Sequence, residues 1–126
     1  MTKTNFELVA DFHRAGEQEI RTEPSFPAIE VCDLRYDLIA EELAELLCAN
    51  EDEDIVEVAD ALTDLLYVVY GAGHAYGIDL DKCFAEVHRS NMTKFPNGKA
   101  IRNEAGKVMK PDSYEPPNLK KVLGLE

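Results

Sequence analysis

Phe6, Val9, Ala10 and His13 recur at intervals of three and four residues, which predicts an amphipathic helix from Asn5 to about Ala15, ended near Gly16. Residues Glu17 to Pro27 mix charge with Pro24 and Pro27 and read as an extended connector. From about Ile29 to Ala49 there is no Gly or Pro, and Val31, Leu34, Leu38, Ile39, Leu43, Leu46 and Leu47 present apolar surface on more than one side. That distribution predicts a long helix held between neighbours. Asn50 to Glu53 is a short polar turn. Asp54 then caps a third helix, in which Ile55, Val58, Leu62, Leu65, Leu66 and Val69 repeat at helical spacing. A turn this short makes the two long helices antiparallel. Gly71, Gly73 and Gly77 loosen the end of the third helix, and Asp79 caps a fourth through Cys83, Phe84 and Val87 to about Met92. The expectation is an all-α, four-helix bundle whose helical core spans about residues 5–94.

The pattern then changes. Pro96-Asn97-Gly98 and Glu104-Ala105-Gly106 are turn signals flanking the short segments Lys99–Arg102 and Lys107–Lys110, which predicts a small C-terminal β-hairpin. Pro111, Pro116 and Pro117 prescribe an extended tail beyond it, with a closing turn at Asn118–Leu123. Hairpin and tail together take in about residues 95–126, and the whole 1–126 reads as a single domain. At 126 residues and 45% hydrophobic content it can bury one core without disulfide or metal staples.

Charge narrows the functions open to it. Thirteen basic and 25 acidic side chains give a net charge of −12, which disfavours binding to polynucleotides and to anionic membrane surfaces. A small phosphorylated ligand remains possible if divalent cations stand between it and the carboxylates. Cys32, Cys48 and Cys83 are an odd number without CxxC spacing, so a reducing cytoplasm is expected, a host's if the source is viral. No leader pattern opens the chain, and no stretch reaches the roughly 18 apolar residues of a membrane span, so a soluble protein that is not exported is expected.

The acids are not spread evenly. In Glu41-Glu42-Leu43-Ala44-Glu45, the residues Glu41, Glu42 and Glu45 lie three and four apart and share one arc, extending the apolar stripe of Leu34 and Leu38. Glu57, Asp60 and Asp64 do the same on the third helix, in an arc that also holds Val68 and Gly71. With the helices antiparallel, Glu45 should face Glu57, and Glu41 and Glu42 should face Asp60 or Asp64. Carboxylates that converge repel one another unless they take up protons or a cation. An all-oxygen set suits Mg²⁺, or Mn²⁺ in its place, over Zn²⁺.

Glu42-x-x-Glu45 followed by Glu57-x-x-Asp60 on adjacent helices resembles the paired motifs of the MazG-like, all-α NTP pyrophosphohydrolase superfamily. Phosphoribosyl-ATP pyrophosphohydrolases and dimeric dUTPases also belong to it. The resemblance covers about Leu34 to Lys94, the phrase Asp60-Ala61-Leu62-Thr63-Asp64-Leu65-Leu66-Tyr67 is similar to that of the small MazG-like members, and so is the tail from Phe95 to Pro117. It implies a MazG-like bundle that hydrolyses a (d)NTP between the α- and β-phosphates to (d)NMP and pyrophosphate, with Glu42, Glu45, Glu57 and Asp60 as metal ligands. Glu41 is then left to orient or deprotonate the attacking water, and an exchange of roles between Glu41 and Glu42 stays open. Family members carry an asparagine and a lysine in a segment like Ser90-Asn91-Met92-Thr93-Lys94, so Asn91 and Lys94 are expected to bind substrate phosphates. Lys107 and Lys110, with Arg89, are further candidates, and Asp64 is grouped with the substrate-binding residues. Candidate substrates are dUTP and dGTP or GTP, and motif spacing does not choose between them.

Blander readings compete. Acids at helical spacing often form a solvated face, and Glu57 could simply complete a capping box with Asp54. Asp60 and Asp64 escape that account, because they stand where packing would favour Leu or Ala. His13, His74 and His88 read as packing or surface residues. Tyr67 and Tyr70 read as core or subunit contacts, while Tyr114 in the tail could reach a ligand. The rival functions are phosphoribosyl-ATP hydrolysis and a non-catalytic acidic interaction module. Apolar residues on several faces predict a homodimer or a dimer of dimers, and the resemblance implies the same.

Overall fold

The computed structural model describes residues 2–126 and is helical, with four long helices and one short one. Thr4 opens α1 (Asn5–Ala15) with a capping box: its hydroxyl accepts from the Glu7 amide at 3.1 Å, and the Glu7 carboxylate accepts from the Thr4 amide at 2.8 Å. The long helix α2 spans Ile29–Glu51. Asp54 caps α3 (Ile55–Tyr76) by accepting from the Val56 and Glu57 amides at 3.1 and 3.2 Å. Gly77, in the left-handed region at φ +70°, closes α3, and its N–H turns back to the Gly73 and His74 carbonyls. After α4 (Leu80–Met92) come a single 3₁₀ turn at Pro96–Gly98 and the short α5 (Leu119–Val122). Among the described residues, no helix is long and apolar enough to cross a membrane.

The chain divides into two compact units, one running to Leu80 and one from Asp81 to Glu126. In the first, α2 and α1 both pack on α3. Its buried apolar residues are small: Val9 and Ala10 on α1, Ala49 on α2, Ala61 and Ala75 on α3. Small side chains let helix axes approach closely. Larger apolar residues on the same helices, such as Leu43, Leu47, Leu62 and Leu66, stay exposed, so α2 is covered on one side only within the chain.

A polar knot closes the end of this unit away from the α2–α3 turn. His13, Arg35 and His74 are buried. The Arg35 Nη2 donates to Gln18 Oε1 at 2.6 Å. The His74 ring stacks on Phe6 at 3.9 Å, and its Nε2 lies 2.8 Å from the Phe6 carbonyl oxygen. Gly71 makes room for the knot, because a Cβ there would stand 3.0 Å from both the Arg35 Nη1 and the His13 Nε2. Desolvation, followed by the charges of Arg35 and His74, pushes His13 down from 6.5 to about 4. The folded state therefore binds the His13 proton less readily than the unfolded chain does. Its stability contribution is whole above pH 6.5 and is lost as pH falls towards 4. An NMR titration of the His13 ring should give a midpoint near 4, and one near 6.5 would refute this account.

The tail corrects one expectation. The two turns form, with Gly106 N donating to Asn103 O at 2.9 Å and the Asn103 side chain accepting from the Ala105 and Lys107 amides, both at 3.0 Å. The segments around them do not make a hairpin of strands: pairing stops at one antiparallel bridge, Arg102–Val108, and no sheet occurs among the described residues. Residues 97–110 are all exposed, including Ile101, Val108 and Met109. Two short segments with no third strand or helix to cover one face gain too little burial to extend the ladder. The extended strap beyond is firmer. Ser90 Oγ donates to Glu115 O at 2.7 Å, the Glu115 amide donates to Thr93 Oγ1 at 2.8 Å, and Arg89 bridges Glu86 and Glu115 at 2.8 and 3.1 Å. The Arg89 hydrogen bond and then the Asn118 amide hold Glu86 down at about 2.

Candidate metal centre

The register of α2 on α3 decides which acids meet. The α2 helix runs two residues past Ala49, because Asn50 and Glu51 contain nothing that stops it, and the turn falls at Asp52–Asp54. Arg35 thereby comes to Gly71, and Glu42 comes level with Asp64. Glu42, Glu45 and Asp64 each offer one carboxylate oxygen within 4.8 Å of the others. Glu42 with Asp64 is one of the pairings expected from sequence, and Glu45, expected to face Glu57, lines one cleft with it. Asp64, grouped from sequence with the substrate-binding residues, lies in this three-acid cluster.

Glu57 and Asp60 lie nearer the turn. With Glu41, Glu45 and Asp52 they line a cleft of about 590 Å³ between the two helices, floored by Ala44, Ala49 and Ala61. That volume falls within the roughly 300–1,000 Å³ of small-molecule sites. Glu45 belongs to both groups, so the acids form one band from Asp64 to Glu57 along the α2–α3 seam. Asn91, Lys94, Lys107 and Lys110 belong to the second compact unit, where Lys94 and Lys110 meet at Tyr114 while Asn91 and Lys107 are exposed. Sequence reading missed Arg35, whose one signal is its place on the stripe of Leu38, Glu42 and Glu45.

The cluster fits a hard cation. Glu42 Oε2 is buried and has no hydrogen-bond partner among the described residues. Desolvation, then a proton shared with Glu45, then the charges of Glu45, Asp64 and Glu41 push the Glu42 carboxyl up from 4.5 to about 7. A proton or a metal ion relieves the same repulsion, so the two compete. The folded state binds this proton more tightly than the unfolded chain does. The Glu42 contribution to stability is therefore present below pH 4.5 and lost as pH rises through 7 in the absence of metal. The gain in Tm on adding Mg²⁺ over EDTA should be small at pH 5 and grow towards pH 8, and Glu42→Gln should flatten it. Comparing the two at each pH cancels the opposite trend from His13. A gain independent of pH in the wild type would exclude competition between a proton and the metal at Glu42.

All seven acids lie within the stretch matched by a known family. The sequence model of the phosphoribosyl-ATP pyrophosphohydrolase family matches residues 9–91. Over 82 residues the chain is 38% identical to an uncharacterized protein of Acanthamoeba polyphaga mimivirus, a match that takes in 62% of this chain. It takes in 33% of the viral protein, so the chain spans about a third of the length of that curated relative.

Proposed function

Because the chain belongs to the phosphoribosyl-ATP pyrophosphohydrolase family, within the MazG-like all-α NTP pyrophosphohydrolase superfamily, we propose that it is a divalent-cation-dependent hydrolase of nucleoside triphosphates, cutting between the α- and β-phosphates. The observation that carries the reading is the convergence of Glu42, Glu45 and Asp64, with one buried Glu42 oxygen left unpartnered. A structural acid cluster would fill that valence with a donor from the protein. Mg²⁺, or Mn²⁺ in its place, is the proposed occupant, held by Glu42, Glu45 and Asp64 with Asp60 and Glu57 completing the band. When bound, it would neutralise charge on the triphosphate and offset the −12 charge of the chain.

The chain's own groups do the rest. Glu41 lines the cleft beside Glu45 and is the proposed base. It accepts a proton from a water whose oxygen attacks the α-phosphorus; the bond from that phosphorus to the bridging oxygen breaks, and pyrophosphate leaves with the electron pair. Asn91, Lys94, Lys107 and Lys110 are the proposed phosphate contacts. Candidate substrates remain dUTP and dGTP or GTP. A second reading, phosphoribosyl-ATP itself, is favoured by the description of the matched family and needs the same α–β cut.

The exposed leucines of α2 and α3 support a homodimer or dimer of dimers, which sedimentation at micromolar concentration tests, and the proposed compartment is the cytoplasm. The chemistry is tested by pyrophosphate release from a panel of NTPs, dNTPs and phosphoribosyl-ATP with Mg²⁺, Mn²⁺ or EDTA. Metal-dependent release supports the reading and its best substrate identifies the base. A folded, metal-binding protein that cleaves none of them would leave the acidic interaction module in its place.

A further inference from the structure

We propose that Arg35 is a positioning residue for the metal centre: its guanidinium, seated over Gly71, locks α2 on α3 in the register that brings Glu42 and Glu45 to Asp64. Glu42 stands seven residues after Arg35, and Asp64 stands seven residues before Gly71. That is two helical turns along each helix of the antiparallel pair. The Arg35 contact and the acid cluster therefore belong to one register, and a slip of one helix past the other displaces both. That the cluster holds a metal rests on the proposed function; the register does not.

The acids cannot hold this register themselves. Glu42, Glu45 and Asp64 each bring a carboxylate oxygen within 4.8 Å of the others, and such groups repel until a proton or a cation arrives. The apolar residues of the seam choose no better, because Ala44, Ala49 and Ala61 are small and alike. Arg35 differs from both. It is 8% exposed, forms no ion pair among the described residues, and its Nε has no hydrogen-bond partner there. A buried cation without a carboxylate costs stability, and the best-attested use of such a group is to fix register.

The surroundings of Arg35 supply that selectivity. Its Nη2 donates to Gln18 Oε1 of the connector at 2.6 Å. Its Nη1 occupies space that only glycine leaves, since a Cβ on Gly71 would stand 3.0 Å from it and equally close to His13 Nε2 of α1. Glycine within a helix weakens it, so the gap at Gly71 is held against the preference of α3 itself. A slip of one turn would set the guanidinium against Val68 or His74, where a side chain stands in its place, and would part it from Gln18.

Three measurements on the full chain test this: Tm in EDTA, Mn²⁺ affinity by electron paramagnetic resonance, and nuclear Overhauser contacts between α2 and α3 in EDTA, which read the register without metal. Arg35→Met keeps the length of the side chain and removes the buried charge, so its Tm should hold or rise. Its α2–α3 contacts should shift, and its Mn²⁺ affinity should fall about 10–100-fold, as for loss of a group that orients ligands. Gly71→Ala, which crowds the guanidinium, should act in the same direction and carries the test if Arg35→Met fails to fold. Arg35→Lys keeps the charge without the two-pronged head and should not restore affinity. Gly77→Ala is the control for stability alone: its Tm should fall while contacts and Mn²⁺ affinity stay as in wild type. If wild type binds no Mn²⁺ while the contacts shift in Arg35→Met, the metal reading fails and the register lock stands. Unchanged contacts in both Arg35→Met and Gly71→Ala overturn the proposal, and so does wild-type Mn²⁺ affinity in a variant whose contacts have shifted.

Discussion

Asp64→Asn is expected to reduce metal-dependent pyrophosphate release on the order of a thousand-fold, the several kcal/mol that a catalytic cation contributes. Glu57→Gln, on the same helix and equally acidic, should cost about tenfold or less, as a residue supporting the ligands from the side does. The contrast follows from register. Asp64 shares a 4.8 Å cluster with Glu42 and Glu45, whereas Glu57 lines the outer cleft, one amide away from the Asp54 cap. Removing Asp64 also removes one of the charges that raises Glu42, so the metal-free variant should melt higher than wild type at pH 8. Lost turnover with raised metal-free stability is the signature of a ligand, since a residue needed for packing would lose both. If Glu57→Gln is the more damaging of the pair, the ion sits at the turn end of the band and Asp64 belongs with the substrate.

Much of this was legible in the sequence, and the limits are physical. Helix boundaries came through where one residue decides them locally: Asp54 as an N-cap and Gly16 near a helix end. The acid band was visible too, because Glu41, Glu42, Glu45, Asp60 and Asp64 interrupt apolar stripes at helical spacing. The pairings within that band were legible only in part: Glu42 with Asp64 was among those expected, but the choice between Asp60 and Asp64 was not made. That choice depends on where α2 stops, and a helix continuing two residues to Glu51 rotates its end by about half a turn. Arg35 lay beyond reach for another reason. Its burial depends on Gln18, His13 and Gly71, from three other segments, and no local pattern brings those together. The expected hairpin failed because turn signals report on the chain's reversal and are silent on whether the flanking segments have anything to pack against.

Gly77→Ala is expected to destabilise the protein by about 3 kcal/mol, seen as a fall in Tm of roughly 10 °C for a chain of this length. Two costs combine. A non-glycine residue in the left-handed region costs about 1 kcal/mol. An added Cβ would also overlap the backbone carbonyl of Glu23 and stand 3.0 Å from Arg21 Cβ. Overpacking of this kind costs about 1–3 kcal/mol. The connector cannot step aside cheaply, because Arg21 N donates to His74 O and Ser25 N to Tyr76 O, each at 2.9 Å, so moving Glu23 would break the bonds that hold it along the end of α3. Gly106 provides the control. It has a similar backbone, φ +82° against +70°, but a Cβ there meets nothing within 4 Å, so Gly106→Ala should show the conformational cost alone, about 1 kcal/mol. The difference between the two variants measures how firmly the connector is fixed to α3. Equal losses would mean that the connector yields, and that Gly77 is required for its φ angle and not for the space it leaves.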